Sequence, residues 1–163
     1  MERISPPEVD RASGVPLVGS TNVAHLAVAR VLFGESRARE LPSLVELTSA
    51  VTALASAQRS KCVLPLASSP EELALVRHGR NVLVSQYTTA SAPEITTLNR
   101  AVDLRSLLDV CAHATFELAR HETDETSRKI AQKLASRAIE TDVLDVDADD
   151  ALVLRGGLDE SSR

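Results

Sequence analysis

Three residues on one stretch have the types and spacing of metal ligands: His113, Glu117 and His121 recur every four positions. Steps of four advance about 40° around an α-helix, so all three share a face. Two imidazoles and a carboxylate are zinc donors, but a structural zinc site is a closed cage whose remaining ligand must come from another segment. That face lies opposite the apolar positions Leu107, Cys111 and Leu118, toward solvent, and a Glu117–His121 surface pair is the plainer reading.

The other candidate chemistries each lack a required part. Asp145, Asp147, Asp149 and Asp150, with Glu140 and Asp142 nearby, resemble the start of a calcium loop. Position six is then Asp150 where glycine is needed, and position twelve is Gly156 where a bidentate glutamate is needed. The run from Gly14 to Gly19-Ser20-Thr21 has the spacing of a phosphate loop, with serine in place of the lysine that reaches the terminal phosphates. Cys111 and His113 lie about 200° apart on a helix and cannot form a dyad. Ser85 and Tyr87 near His78 come without a GxSxG elbow. Lys129, Lys133 and Arg137, with Arg128, form a basic line flanked by Asp124, Glu125 and Glu140, the pattern of the wet side of an amphipathic helix. No catalytic or cofactor-binding residue and no cofactor follow from these patterns, and the weak metal candidates are His113, Glu117 and His121.

The composition narrows the classes further. The chain has 163 residues, 44% hydrophobic and 25% charged, with a net charge of −5. These are the proportions of an ordinary folded domain. Aromatics are only 2%, namely Phe33, Tyr87 and Phe116, too few for a base-stacking surface. With the negative charge, nucleic-acid binding is disfavoured. No stretch approaches the roughly 18 apolar residues of a membrane span, and the N-terminus lacks the basic and apolar regions of a secretory signal. Cys62 and Cys111 form no CxxC pair and no disulfide framework, which points to a cytoplasmic protein.

The elements that would position these residues read as follows. Residues 1–19, rich in proline and glycine, form an extended N-terminal arm. A largely buried helix starts at Ser20, Thr21 or Asn22 and stops at Gly34. Pro42 or Ser43 opens a second helix over 44–58, with Leu44, Leu47, Val51, Leu54 and Ala55 on one stripe. Its other side holds Thr48, Ser49, Thr52, Ala53 and Ser56, and its only charge is Glu46. A helix sandwiched inside its own domain and a helix at a subunit interface both account for so little charge.

The stretch 61–79 carries two signals. Ser69, Pro70 and Glu72 spell a capped helix over 70–78, which would make the fold α/β. Leu73–Val76, His78-Gly79-Arg80-Asn81 and Val82–Tyr87 spell a hairpin instead. A weak internal similarity between 62–79 and 143–157 favours the hairpin. A further strand over 94–102 follows. Asp103 caps a helix over 104–121, and Thr123 or Asp124 opens another with Ile130, Leu134, Ala138 and Ile139 apolar. Asp142–Val146 and Ala151–Arg155 read as two short strands joined by an acidic turn, and residues 159–163 as a polar tail.

The sequence therefore predicts a single α+β domain over 20–158: a small, mostly antiparallel sheet packed by about four helices. It predicts a non-enzymatic protein-interaction or assembly subunit, a homo-oligomer or part of a larger complex. The expected contact residues are Leu47, Thr48, Val51, Thr52 and Ala55 on the low-charge helix, with Leu152 and Leu154 in an incomplete, open-edged hairpin. The alternative is a small enzyme or ligand-binding domain with a pocket between the sheet and helix 104–121, near His78, Tyr87 and Cys111.

Overall fold

A computed structural model of the chain describes residues 20–34 and 40–145. In chain order its elements are α1 (Ser20–Phe33), α2 (Leu44–Ala55), β1 (Lys61–Pro65), β2 (Glu71–His78), β3 (Asn81–Thr88), β4 (Ile95–Asp103), α3 (Leu104–His121) and α4 (Glu125–Glu140). The strands make one antiparallel sheet in the order β1-β2-β3-β4, and the class is α+β.

Residues 71–78 are strand, not helix. Gly79 takes a φ of +65° in the two-residue turn between β2 and β3, a conformation glycine adopts without strain. Period-two alternation then sends Leu73, Leu75 and Arg77 to one face of the sheet, where they meet the inward Gln86, Val84 and Val82 of β3. The helices lie on that face. α3 is the central one: Leu104, Leu107, Leu108 and Cys111 are fully buried, and it packs against α1, α2 and α4. Burying side chains of this size contributes roughly 1.5–3 kcal/mol each.

Helix caps follow the sequence closely. Ser43 Oγ accepts from Glu46 N at 3.4 Å, Asp103 from Ser106 N at 2.9 Å, and Asp124 from Ser127 N at 2.8 Å. Two helix C-termini are closed by arginines from the sheet, a cation at the negative end of the helix dipole. Arg100 Nε donates to Leu32 O of α1 at 3.1 Å. Arg77, only 3% exposed, donates to Leu54 O at 2.7 Å, Ala55 O at 3.1 Å and Gly79 O at 2.8 Å, and also to Leu144 O.

Three local expectations need correction. α2 ends at Ala55 instead of Gln58. Ala57 N donates to Leu54 O and Gln58 N to Ala53 O, a Schellman closure that places Ala57 at a φ of +62°. On α4 the buried positions are Ala131, Ala135 and Ala138, while Ile130 and Ile139 are more than half exposed. Small side chains let α4 approach α3 closely, and the larger ones are displaced outward. Residues 142–145 are not a strand: Leu144 N donates to Ala55 O at 3.0 Å and its carbonyl is held by Arg77, so this backbone seals the end of α2. The N-terminal arm over 1–19, Asp147, Asp149, Asp150, the strand expected over 151–155 with Leu152 and Leu154, and the tail over 159–163 lie outside the described residues.

Candidate functional site

The residues named from the sequence are mostly not brought together. His113 and His121 are exposed on α3. Glu117 pairs with Arg120 at 3.0 Å and lies 4.0 Å from His121 Nε2. Among the described residues no three His, Cys, Asp or Glu side chains converge as a metal cage. Asp145 pairs with Arg80. Arg128 and Lys129 pair with Glu125 at 3.4 and 3.3 Å, so the basic line on α4 is partly neutralised. Burial pushes the Cys111 thiol up to about 12 and also raises Cys62, so both stay protonated near neutrality and are poor nucleophiles.

The pocket imagined near His78, Tyr87 and Cys111 is not assembled. Cys111 lies inside the helix layer, whereas the alternation of β2 and β3 puts His78 and Tyr87 on the opposite face of the sheet. Tyr87 Oη bonds Glu72 Oε1 there at 3.1 Å, and Ser85 Oγ accepts from Asn99 N at 2.9 Å.

The low-charge helix is covered by its own chain. Leu47, Thr48, Val51 and Ala55 have no exposed surface and Thr52 has 8%. Thr48 Oγ1 sits 2.7 Å from Thr115 Oγ1 and donates to Cys111 O at 3.2 Å, which explains an uncharged second face by packing against α3. Leu47, Thr48, Val51 and Ala55 are therefore packed inside the chain's own fold, and Thr52 keeps a little surface. What remains open on α2 is a third strip: Val45, Glu46, Ser49 and Ala53.

That strip faces β1 across a groove of about 400 Å³ lined by Val45, Glu46, Ser49, Ala50, Ala53, Arg59, Cys62, Val63 and Leu64. Cys62 Sγ points at Ala50 O, 3.9 Å away, and forms part of the floor. β1 is an edge strand. The bonds Arg77 N to Ser60 O and Leu66 N to Glu71 O fix the ladder, so even-numbered residues of β1 pair with β2. Lys61, Val63 and Pro65 turn their backbone groups to the open side, and proline brings only a carbonyl. Among the described residues no strand pairs with that side. Exposed Arg59 stands at the Ser60 end of the groove and Glu46 at the other, while exposed Lys61 lies beside Arg59 on the outer face of β1.

Among the described residues nothing packs over the sheet face away from the helices. Val63, Ala74, Val76, Leu83 and Ala101 lie on it in adjoining rows. It is partly apolar, as one face of an antiparallel sheet can be when it meets water or a partner. The sequence reading missed the groove because it placed the open edge in the C-terminal hairpin. The signals available were Ser49 and Ala53, one helical turn apart, and the brevity of the apolar run Cys62–Leu66. Comparison of the chain with family models, curated proteins and solved structures gives no match to any of them.

Proposed function

We propose that this chain is a protein-interaction module that accepts an extended segment of a partner as an added strand along β1. The observation that carries this reading is the backbone of Lys61, Val63 and Pro65, which no strand among the described residues pairs, beside a groove walled by the small side chains Ser49 and Ala53. In strand addition, main-chain hydrogen bonds give affinity and alternate side chains give selectivity. Side chains from the added strand that point toward the helix layer enter the groove over Cys62, Ala50 and Ala53, which are apolar and small. The matching partner carries apolar residues at alternate positions. It is acidic where it meets Arg59 and Lys61, since opposite charge fixes orientation and register. Strand addition makes and breaks no covalent bond, and the proposal keeps an assembly role with its surface on the β1 groove instead of the buried side of α2.

The test is titration of the isotope-labelled full-length chain with synthetic nine-residue peptides, acidic at one end and alternately apolar, followed by amide chemical shifts. The expected result is saturable movement of the Lys61 and Val63 signals, abolished by Ala53→Arg with the melting temperature nearly unchanged. Peptides that bind while leaving those two amides unmoved, or a peptide set that does not bind at all, overturn the reading.

A further inference from the structure

We propose that the strand added along β1 is β1 of a second copy of this chain, so that two sheets join across a two-fold axis at Val63. This rests on the strand-accepting reading of the groove and names its partner.

Three observations converge on it. The first is the hydrogen-bond row. Lys61, Val63 and Pro65 turn their backbone groups outward, and a two-fold axis at Val63 sets Lys61 opposite the partner's Pro65. The two valines then exchange N–H···O bonds in both directions, and each Lys61 N–H meets a proline carbonyl. Proline's missing donor falls at the two ends of this ladder and not at its centre. The second is pattern. The groove asks for apolar side chains at alternate positions, and β1 itself carries them. Cys62 and Leu64 point toward the helix layer, and Leu64 is only half-buried. In this register each Leu64 lies opposite the partner's Cys62 and closes over the groove floor. On the outer face Val63, 40% exposed, meets its own copy. The third is charge. Arg59 and Glu46 are exposed at opposite ends of the groove. A two-fold axis exchanges the ends, so each Arg59 faces the partner's Glu46. The same operation keeps the two Lys61 ammonium groups at opposite ends of the ladder. The two α2 helices run antiparallel, with Ser49 near the axis and Val45 toward the partner's Ala53. Side chains as small as Ser49 and Ala53 let the helix backbones approach.

The experiment follows self-association of the full-length chain by sedimentation equilibrium, with amide exchange read by nuclear magnetic resonance. The expected result is a reversible dimer. Dilution speeds exchange at Lys61 and Val63 about tenfold or more and leaves Val84, in the sheet centre, unchanged. Val63→Pro, which the open side of an edge strand accommodates, gives a folded monomer. Glu46→Arg and Arg59→Glu each weaken the dimer about tenfold, because like charges then face each other. The two variants mixed together pair as tightly as the parent, since both charge pairs are restored in the mixed dimer. A dimer that survives Val63→Pro, or in which Lys61 and Val63 exchange freely, lies on another surface and overturns the inference. Mixing that restores nothing overturns the two-fold arrangement, and a chain that stays monomeric at millimolar concentration overturns the inference outright. In each of these outcomes, shifts of Lys61 and Val63 on adding the partner-type peptides keep the strand-accepting reading, and their absence ends both.

Discussion

The two edges of the sheet are built differently. β4 is closed against addition by its own irregularity. Leu98 and Asn99 together oppose Ser85, and Asn99 takes a φ of +48° in the resulting bulge. Ser85 accepts from Asn99 N at 2.9 Å and holds it there. A bulge of this kind twists an edge and interrupts the row of backbone groups that another chain needs. β1 pairs with β2 without a register shift, and its open side carries only Lys61 and Pro65 as deterrents. It also has a helix wall beside it, which β4 does not share in the same form. Edge protection in this fold is selective: one edge is blunted by backbone geometry, and the other is left regular next to a groove.

The largest expected effect comes from removing what ties the β1 side together. Arg77→Leu strips donors from the carbonyls of Leu54, Ala55, Gly79 and Leu144. Leu54 O keeps the N–H of Ala57 and Ala55 O that of Leu144, so the loss falls chiefly on Gly79 and Leu144; at roughly 1–3 kcal/mol for each acceptor left dry, we expect about 2–4 kcal/mol of destabilisation, read as a lower urea midpoint. Arg77→Lys recovers little of it, because an ammonium cannot fork among several carbonyls. On the opposite edge, Asn99→Val puts a β-branched residue in the left-handed region. A loss of about 1–2 kcal/mol by thermal melting is expected, with exchange of the β4 amides faster and that of β1 unaltered.

Thr48→Val opens the contact that seats α2 and leaves the Thr115 hydroxyl without this partner. About 1–2 kcal/mol is expected, and adding Thr115→Val recovers part of it because both polar groups are then gone. Ala57→Gly relieves a φ of +62° at the end of α2 and raises stability by roughly 0.5–1 kcal/mol. The smallest effect is at Glu40, held below its ordinary value chiefly by the Ser68 hydroxyl and then by the Ser68 backbone N–H at 2.9 Å. A depressed carboxyl stabilises above its unfolded value and loses that contribution as pH falls through its folded value. Glu40→Gln is therefore slightly less stable than the parent at neutral pH, and the two converge in acid.

Much of the frame was legible because it is local. Ser43, Asp103 and Asp124 cap their helices through a serine or carboxylate oxygen three residues before the N–H they accept from, and Gly79 marks the hairpin through its φ. The errors are tertiary. Nothing local reveals that α3 approaches α4 closely enough to bury alanines and expose Ile130 and Ile139. Nor does periodicity distinguish an uncharged face waiting for a partner from one already covered, as Thr48 is by Thr115. The groove was missed for the same reason, since it is made by α2 and β1 lying side by side and neither segment contains its signal alone.

The guanidinium of Arg77 has a mechanical consequence. It grips the last turn of α2, the β2–β3 turn and the carbonyl of Leu144 at once, while its own backbone N–H holds Ser60. A displacement of Leu144 is therefore felt at two places together: at the end of α2 directly through Ala55, and at the start of β1 through Arg77 and Ser60.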